Sequence, residues 1–385
     1  MNVRRSLPEI MIMALRTLLS FAFAGVLCAQ VPGLTLPPDG NNQKAQVTQY
    51  VGPVRVGIEY SSPAVHTAGG VDRRGAIWGK LVPYGMTDLG LSGRPSPWRG
   101  GANENTVFEV SHDVLIEGKP LPAGRYGLHM IAGPEMWTLI FSKNSIAWGS
   151  FQYNEADDAL RVTVKPHKHE YREWLTYEFT TRRPTEAVAE MQWEDLAVAW
   201  SLRVPDPNEI YVSRLSQELT GAVGFTWQGW DAAAQFCLTH DTHLEQGLKW
   251  SEIAAGTLVG DANFTTLSTK AQLLSKLGRE SEARATMDTA MHLPSAKPGQ
   301  IHQYGRTLLA QKKVAEAIAV FEYNAAHFGD QWPTHVGLAR GYAAAGDNRK
   351  ALEQARLALA QAPDPLNRAA LEEMIKALEA GQPIK

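Results

Sequence analysis

The sequence predicts an α+β protein with its two kinds of structure segregated: an N-terminal antiparallel β-sandwich, then a C-terminal all-α superhelix. Three observations carry that expectation. Between residues 47 and 204 apolar and polar residues alternate, the period of half-buried strands. At 205–209 the segment PDPNE brackets a break with two prolines, and the pattern beyond it is helical. Ala283, Ala317 and Ala351 then recur 34 residues apart in matching helical contexts, ESEARATM, VAEAIAVF and NRKALEQA. A chain of 385 residues exceeds one ordinary core, which agrees with two domains. Its 44% hydrophobic and 20% charged residues are globular values, so disorder is not the default.

At the amino terminus, Arg4, Arg5 and Arg16 flank an apolar run at 18–28 that ends at the small Ala29. This basic–apolar–small order predicts a signal peptide over 1–29, cleaved near Ala29, and a periplasmic or secreted product. The run is too short for a comfortable spanning helix and no second one follows, so no transmembrane segment is expected in the mature protein. Cys28 raises a lipoprotein alternative, but Val26 and Leu27 lack the small side chain that lipid-modifying processing requires. Residues 1–29 hold three arginines and one glutamate, so their removal makes the remainder more acidic than the −3 of the whole chain. That argues against nucleic acid as a partner, since phosphate neutralisation needs clustered Lys and Arg. Only Cys237 remains, inside the apolar helical run AAAQFCL, and reads as a buried small hydrophobe rather than a nucleophile.

A proline-rich linker is expected at 30–44 and the β-domain at 45–204. VRVGIEY, NTVFEVS, LRVTVK and LTYEFT alternate cleanly, and MIAGPEMWTLIF reads as a hairpin. Nine or ten strands result. The Gly-, Pro- and Arg-rich stretch at 64–101 reads as one long loop region, a length that in compact domains accompanies function or mobility.

The helical domain is expected at 205–385, with Asp206 or Asn208 capping its first helix. A 34-residue period is that of tetratricopeptide helix–turn–helix arrays. In this register Gly278 and Gly346 fall in the turns between paired helices. Leu274, Leu308 and Tyr342 share one packing position, and Ala271, Gly305 and Ala339 share a small-residue position where helices approach closely. NRAALEEMIKALEAG reads as a capping helix that shields the last apolar face.

The blocks YSSPAV, IWGKLVPYG, WRGGANENT, LPAGRYGL and WGSFQY resemble an exported bacterial β-domain family, domain-of-unknown-function family 2911. NFTTLSTKAQLLSKLG and IHQYGRTLLAQ are similar to the helical-repeat tails of some members. The resemblance implies the fold and export, and no activity. This chain departs from it at 86–97, where MTDLGLSGRPSP is interposed between the VPYG and WRGGAN blocks.

Trp98, Arg99, Asn103 and Glu104 combine an aromatic, a planar cation, an amide and a carboxylate in seven residues beside a Gly-Gly pair. With Trp78 and Tyr84 they are the ligand-binding candidates, suited to a carboxylate, a sugar or a peptide end. Internal pairing of Arg99 with Glu104 and turn capping by Asn103 is the competing reading. His167/His169 and His240/His243 lack a third ligand, so no metal or other cofactor is implied. No nucleophile elbow, phosphate loop or dinucleotide fingerprint occurs, which lowers the odds of an enzyme. The resemblance to tetratricopeptide repeats places Gln272, Lys276, His302, Arg306 and Arg340 on the concave face, a basic groove for an acidic peptide or terminal carboxylate. The sequence therefore leans toward a non-enzymatic interaction or scaffold protein of the cell envelope with a protein or peptide partner. A glycan- or small-ligand-binding protein or hydrolase, with its site in loops 64–104, is the alternative.

Overall fold

The computed structural model describes residues 42–88 and 93–384, and the leader and most of the linker lie outside them. The chain divides into two compact units between Pro205 and Asp206.

The first unit is built on two antiparallel sheets. Six strands, β1 (Asn42–Val51), β2 (Val54–Pro63), β5 (Thr106–Val110), β8 (Gly124–Ile131), β9 (Trp137–Ser142) and β10 (Asp158–Val164), lie side by side in that order. The second sheet runs β11 (His167–Arg182), β12 (Glu186–Arg203), β6 (Val114–Ile116), β7 (Lys119–Leu121). β3 (Thr87–Asp88) and β4 (Pro95–Ser96) form a small separate pair within the long loop region. β1 opens at Asn42, three residues inside the expected linker, because Asn42, Gln43 and Lys44 pair in register with Pro63, Ser62 and Ser61.

Alternation decides which face is inside. Val56, Ile58 and Tyr60 of β2, Phe108 and Val110 of β5, and Leu128 and Met130 of β8 are buried on the inner face. Lys44, Arg55, Glu59, Glu109 and Arg125 form a cross-strand charge lattice on the outer face, with Lys44–Glu59 at 3.0 Å and Arg125–Glu59 at 3.1 Å. The sheets meet through aromatic rings: Tyr60 lies edge-on to Tyr177 at 4.8 Å, and Tyr177 edge-on to Trp200.

The second sheet is not a regular sandwich layer. In β12 the buried apolar residues are Ala187, Ala189, Met191 and Trp193, and beyond Glu194 the large ones become Val198, Trp200 and Leu202, with the small Ala197 buried beside them. The phase changes because Glu194 adopts φ 58° and the pairing with β11 slips there, a bulge that inserts extra chain into one strand. The Glu194 carboxylate accepts the Gly75 N–H, fixing the loop region to this bulge.

The second unit contains ten helices among the described residues: α1 (Pro207–Glu218), α2 (Trp227–Thr239), α3 (Leu244–Ala254), α4 (Phe264–Lys276), α5 (Glu280–Met291), α6 (Pro298–Ala310), α7 (Val314–Phe328), α8 (Trp332–Ala344), α9 (Asn348–Ala360) and α10 (Pro365–Glu379). Asp206 caps α1, accepting from the Asn208 and Glu209 N–H groups at 3.1 and 3.2 Å. Asn263 caps α4 and closes a capping box with Thr266. α4, α6 and α8 begin 34 residues apart, and α5, α7 and α9 likewise. Ala283, Ala317 and Ala351 are each buried where a helix pair crosses. Gly278 and Gly346 take φ 76° and 80° in the turns inside the pairs, and Lys312 holds the same turn position in the intervening repeat at φ 62°. The unit is thus a tetratricopeptide-like array.

Candidate functional site

The joints between successive helix pairs are unequal. Where α6–α7 meets α8–α9, the Phe321 ring of α7 nests against backbone. A Cβ on Gly305 would overlap that ring, one on Gly337 would come within 2.5 Å and one on Gly341 within 3.0 Å. Three glycines therefore let α6 and α8 pack closely around one aromatic.

One period earlier the same geometry would need Met287 to nest against positions 303 and 307. Those positions carry Gln303 and Thr307 instead of glycine. α6 stands away from both α4 and α5, whereas α2 with α4 and α6 with α8 lie side by side. Contact across the joint is left to side chains: Phe264, Leu267 and Met287 share one apolar cluster with Ile301 and Leu308. The result is a cleft of about 770 Å³.

Its lining is rich in amides and hydroxyls, with Gln272, Ser268 and Thr265 from α4 facing Gln303, Thr307 and Gln300 from α6, over Met287, Tyr304 and Leu308. The charged groups at its rim are paired. Lys313 meets Glu280 at 3.0 Å, Arg284 meets Glu316 at 3.5 Å, and Lys276 meets Asp241 at 3.0 Å. At the α2 end Asp231 is buried and bonded through Oδ2 to Gln235, while Oδ1 has no partner. Burial pushes its carboxyl above the ordinary range.

The expected groove residues fall into two places. Gln272 and Lys276 line the cleft. His302, Arg306 and Arg340 do not; they gather where α6 faces α8. Burial first, then the nearby Arg340 and Arg306 guanidiniums, push the His302 imidazole down to about 4. A single basic groove built from all five residues is therefore corrected: helical rotation puts 302 and 306 on the opposite flank of α6 from 304 and 307.

In the β unit the loop candidates diverge rather than converge. Trp98 stacks on Trp193 at 6.3 Å and its Nε1 donates to Gly101 O. Trp78 is ringed by Trp98, Trp137 and Trp193, all edge-on. Both indoles are thus packing groups of the aromatic interior. Tyr84 is half exposed and lies over Gly79. Asn103, at φ 56°, accepts from Asn42 Nδ2 through its side chain, and Glu104 pairs with Lys44 and accepts from Ser61 Oγ. Arg99 points elsewhere, toward residues 149–151.

There the structure reveals a cluster the sequence reading missed. His129 points to the outer face of the six-stranded sheet, yet is only 2% exposed, because the 15-residue connection from β9 to β10 folds back over it. Its Nδ1 pairs with Ser150 Oγ at 2.8 Å and its ring lies edge-on to Tyr153. Burial first, then Arg99, push the imidazole down to about 4, so it is neutral at ordinary pH. Asn105 joins the group, donating to Asn144 O. One signal was available: a histidine within the otherwise apolar strand sequence GLHMI. Cys237 is buried as expected, and burial pushes its thiol up to about 11.

The architecture is thus a β unit followed by a tetratricopeptide-like array. Residues 42–202 match a family described as "Protein of unknown function (DUF2911)". No curated protein matches the chain. Among solved structures, YrrB, described as "a TPR protein with an unusual peptide-binding site", is similar at 17% identity and a TM-score of 0.29, covering 43% of this chain and 84% of its own. MamA from Desulfovibrio magneticus RS-1, residues 41 to the end, is similar at 17% identity and a TM-score of 0.28, covering 42% and 95%. A MamA RS-1 double mutant gives 18% identity, a TM-score of 0.28 and coverage of 42% and 96%.

Proposed function

We propose that this chain is an interaction protein whose helical unit binds an extended peptide segment of a partner in the cleft between α4, α5 and α6. The observation that supports this most is the lining of that cleft. Facing rows of glutamine, serine and threonine can satisfy the N–H and C=O groups of a peptide backbone, and the Met287, Tyr304 and Leu308 floor can take apolar side chains. Because the rim charges are already paired, the preferred segment is uncharged where it crosses the cleft, rather than the acidic peptide that a basic groove would select. A scaffold role in the cell envelope follows if residues 1–29 direct export, as their basic–apolar–small order supports. N-terminal sequencing of the protein recovered from a periplasmic fraction checks that part; an intact leader there would exclude cleavage.

A displayed library of random decapeptides, panned on the full chain, tests the binding. Gln272 and Gln303 are exposed, so the double change Gln272→Ala/Gln303→Ala leaves the core untouched. Loss of two backbone-directed amide contacts should weaken selected peptides by roughly 10- to 100-fold. Selected peptides whose binding is indifferent to this pair would rule out the cleft.

A further inference from the structure

Independently of the cleft, the β unit carries a cation that its own fold does not neutralise. The Arg99 guanidinium is half-buried. It lies on the backbone of Gly149, where a Cβ would fall 2.5 Å from Cζ, and over the Phe151 ring at 4.9 Å from the centroid. Nη1 donates to Asn103 O at 2.5 Å, which holds that left-handed residue in place. No carboxylate among the described residues pairs with Arg99: Glu104, its partner in the competing reading of the sequence, is taken by Lys44 and Ser61. His129, which feels the Arg99 charge, is held neutral and offers no negative charge. Trp148, 66% exposed, adjoins the Gly149 on which the guanidinium rests.

We propose that Arg99 anchors a small-oxyanion site, taking a carboxylate or phosphate group on the donor edge that Asn103 leaves unused. A planar guanidinium presents paired N–H donors that match such groups bidentately. Partial desolvation strengthens the pairing relative to an arginine in open water. The stretches that build the site, WRGGANENT, GRYGLHMI and WGSFQY, include two of the irregular blocks singled out in the sequence and overlap a third, LPAGRYGL. Their meeting at one guanidinium gives those blocks a common purpose. The 15-residue β9–β10 connection, far longer than a hairpin needs, supplies Gly149, Phe151 and Ser150 to one wall.

The test uses the full chain, titrated separately with sodium acetate and inorganic phosphate at ionic strength held constant with sodium chloride. Tryptophan fluorescence is the readout, with Arg99→Lys as the comparison. A saturable response to at least one anion, weakened about 10-fold or more in Arg99→Lys, is expected. Acetate alone identifies a carboxylate site, phosphate alone a phosphate site, and both a general oxyanion site. No saturable response to either, or an equal response in Arg99→Lys, overturns the proposal. Should that variant fail to fold, the His129 ring can be followed by NMR in the unaltered protein. Neutralising Arg99 with a bound anion should raise the His129 midpoint, and an unmoved midpoint at saturating anion overturns the site just as firmly.

Discussion

Two joints of the helical unit are built from the same 34-residue repeat, yet one is closed and the other open. The closed joint has Phe321 against Gly305, Gly337 and Gly341; the open one has Met287 facing Gln303 and Thr307 at the matching positions. The repeat period specifies where helices start, while the side chains at two or three positions decide how near neighbouring pairs come. Glycine lets backbone meet an aromatic face, and a glutamine or threonine side chain stands in the way. The cleft is therefore the sequence's local exception to its own repeat.

The largest expected effect comes from emptying the closed joint. Phe321→Ala should cost about 3–5 kcal/mol in urea unfolding of the helical unit, because the glycine notch leaves nothing to collapse into the cavity. Met287→Ala at the open joint should cost less, since its surroundings are already loose; equal losses would mean that the two joints do not differ in packing.

The closed joint also holds a partly buried histidine that is neutral at ordinary pH. His302 Nδ1 lies against Gly337 and its ring against Phe321. Its folded value of about 4 lies below the unfolded 6.5, so the unfolded chain binds more protons between those limits. Stability is therefore fully present above pH 6.5 and is lost as pH falls toward 4, by about 3 kcal/mol for this group. Denaturation midpoints measured from pH 7 to pH 4 should show that fall, and His302→Gln should flatten it.

Exchanging residues between the joints sharpens the comparison further. Gly337→Gln should destabilise the closed joint by about 1–3 kcal/mol through overpacking against Phe321. The reverse set, Met287→Phe with Gln303→Gly and Thr307→Gly, should draw α6 toward α4. Spin labels on those two helices would report a shorter distance, and an unchanged distance would place the cause of the opening elsewhere.

The smallest effect belongs to the turn that differs among the repeats. Lys312 sits at φ 62° where the flanking repeats have Gly278 and Gly346. Lys312→Gly should raise stability by about 1 kcal/mol by relieving left-handed backbone strain, visible as a small rise in Tm.

Much of this architecture was legible in the sequence. Strand alternation at 54–60, 106–110 and 160–164 follows directly from burial on one face, and the alanine spacing set the helical register. The sites were less legible, for physical reasons that differ between the units. In the β unit, nearness along the chain suggested that Arg99, Asn103 and Glu104 act together, but a left-handed residue at 103 turns the backbone and sends their side chains to different partners. His129 escaped notice because what makes it special, a long loop folded over an outer face, is a tertiary event. In the helical unit the repeat register located Gln272 and Lys276. The width of the cleft depended on glycines missing from positions 303 and 307, a deviation visible only once neighbouring repeats are compared.

The bulge in β12 has a consequence at the level of the gene. Upstream of Glu194 the large buried apolar residues are odd-numbered, Met191 and Trp193, and downstream they are even-numbered, Val198, Trp200 and Leu202. Deleting the single codon for Glu194 would put both halves of the strand in one frame. Met191 and Trp193 would keep their places, and Val198, Trp200 and Leu202, each moved up by one position, would stay on the same inner face. Loss of that one triplet would therefore spare the inner face and remove the Gly75 anchor instead, whereas loss of a triplet well away from the bulge would turn part of the strand inside out.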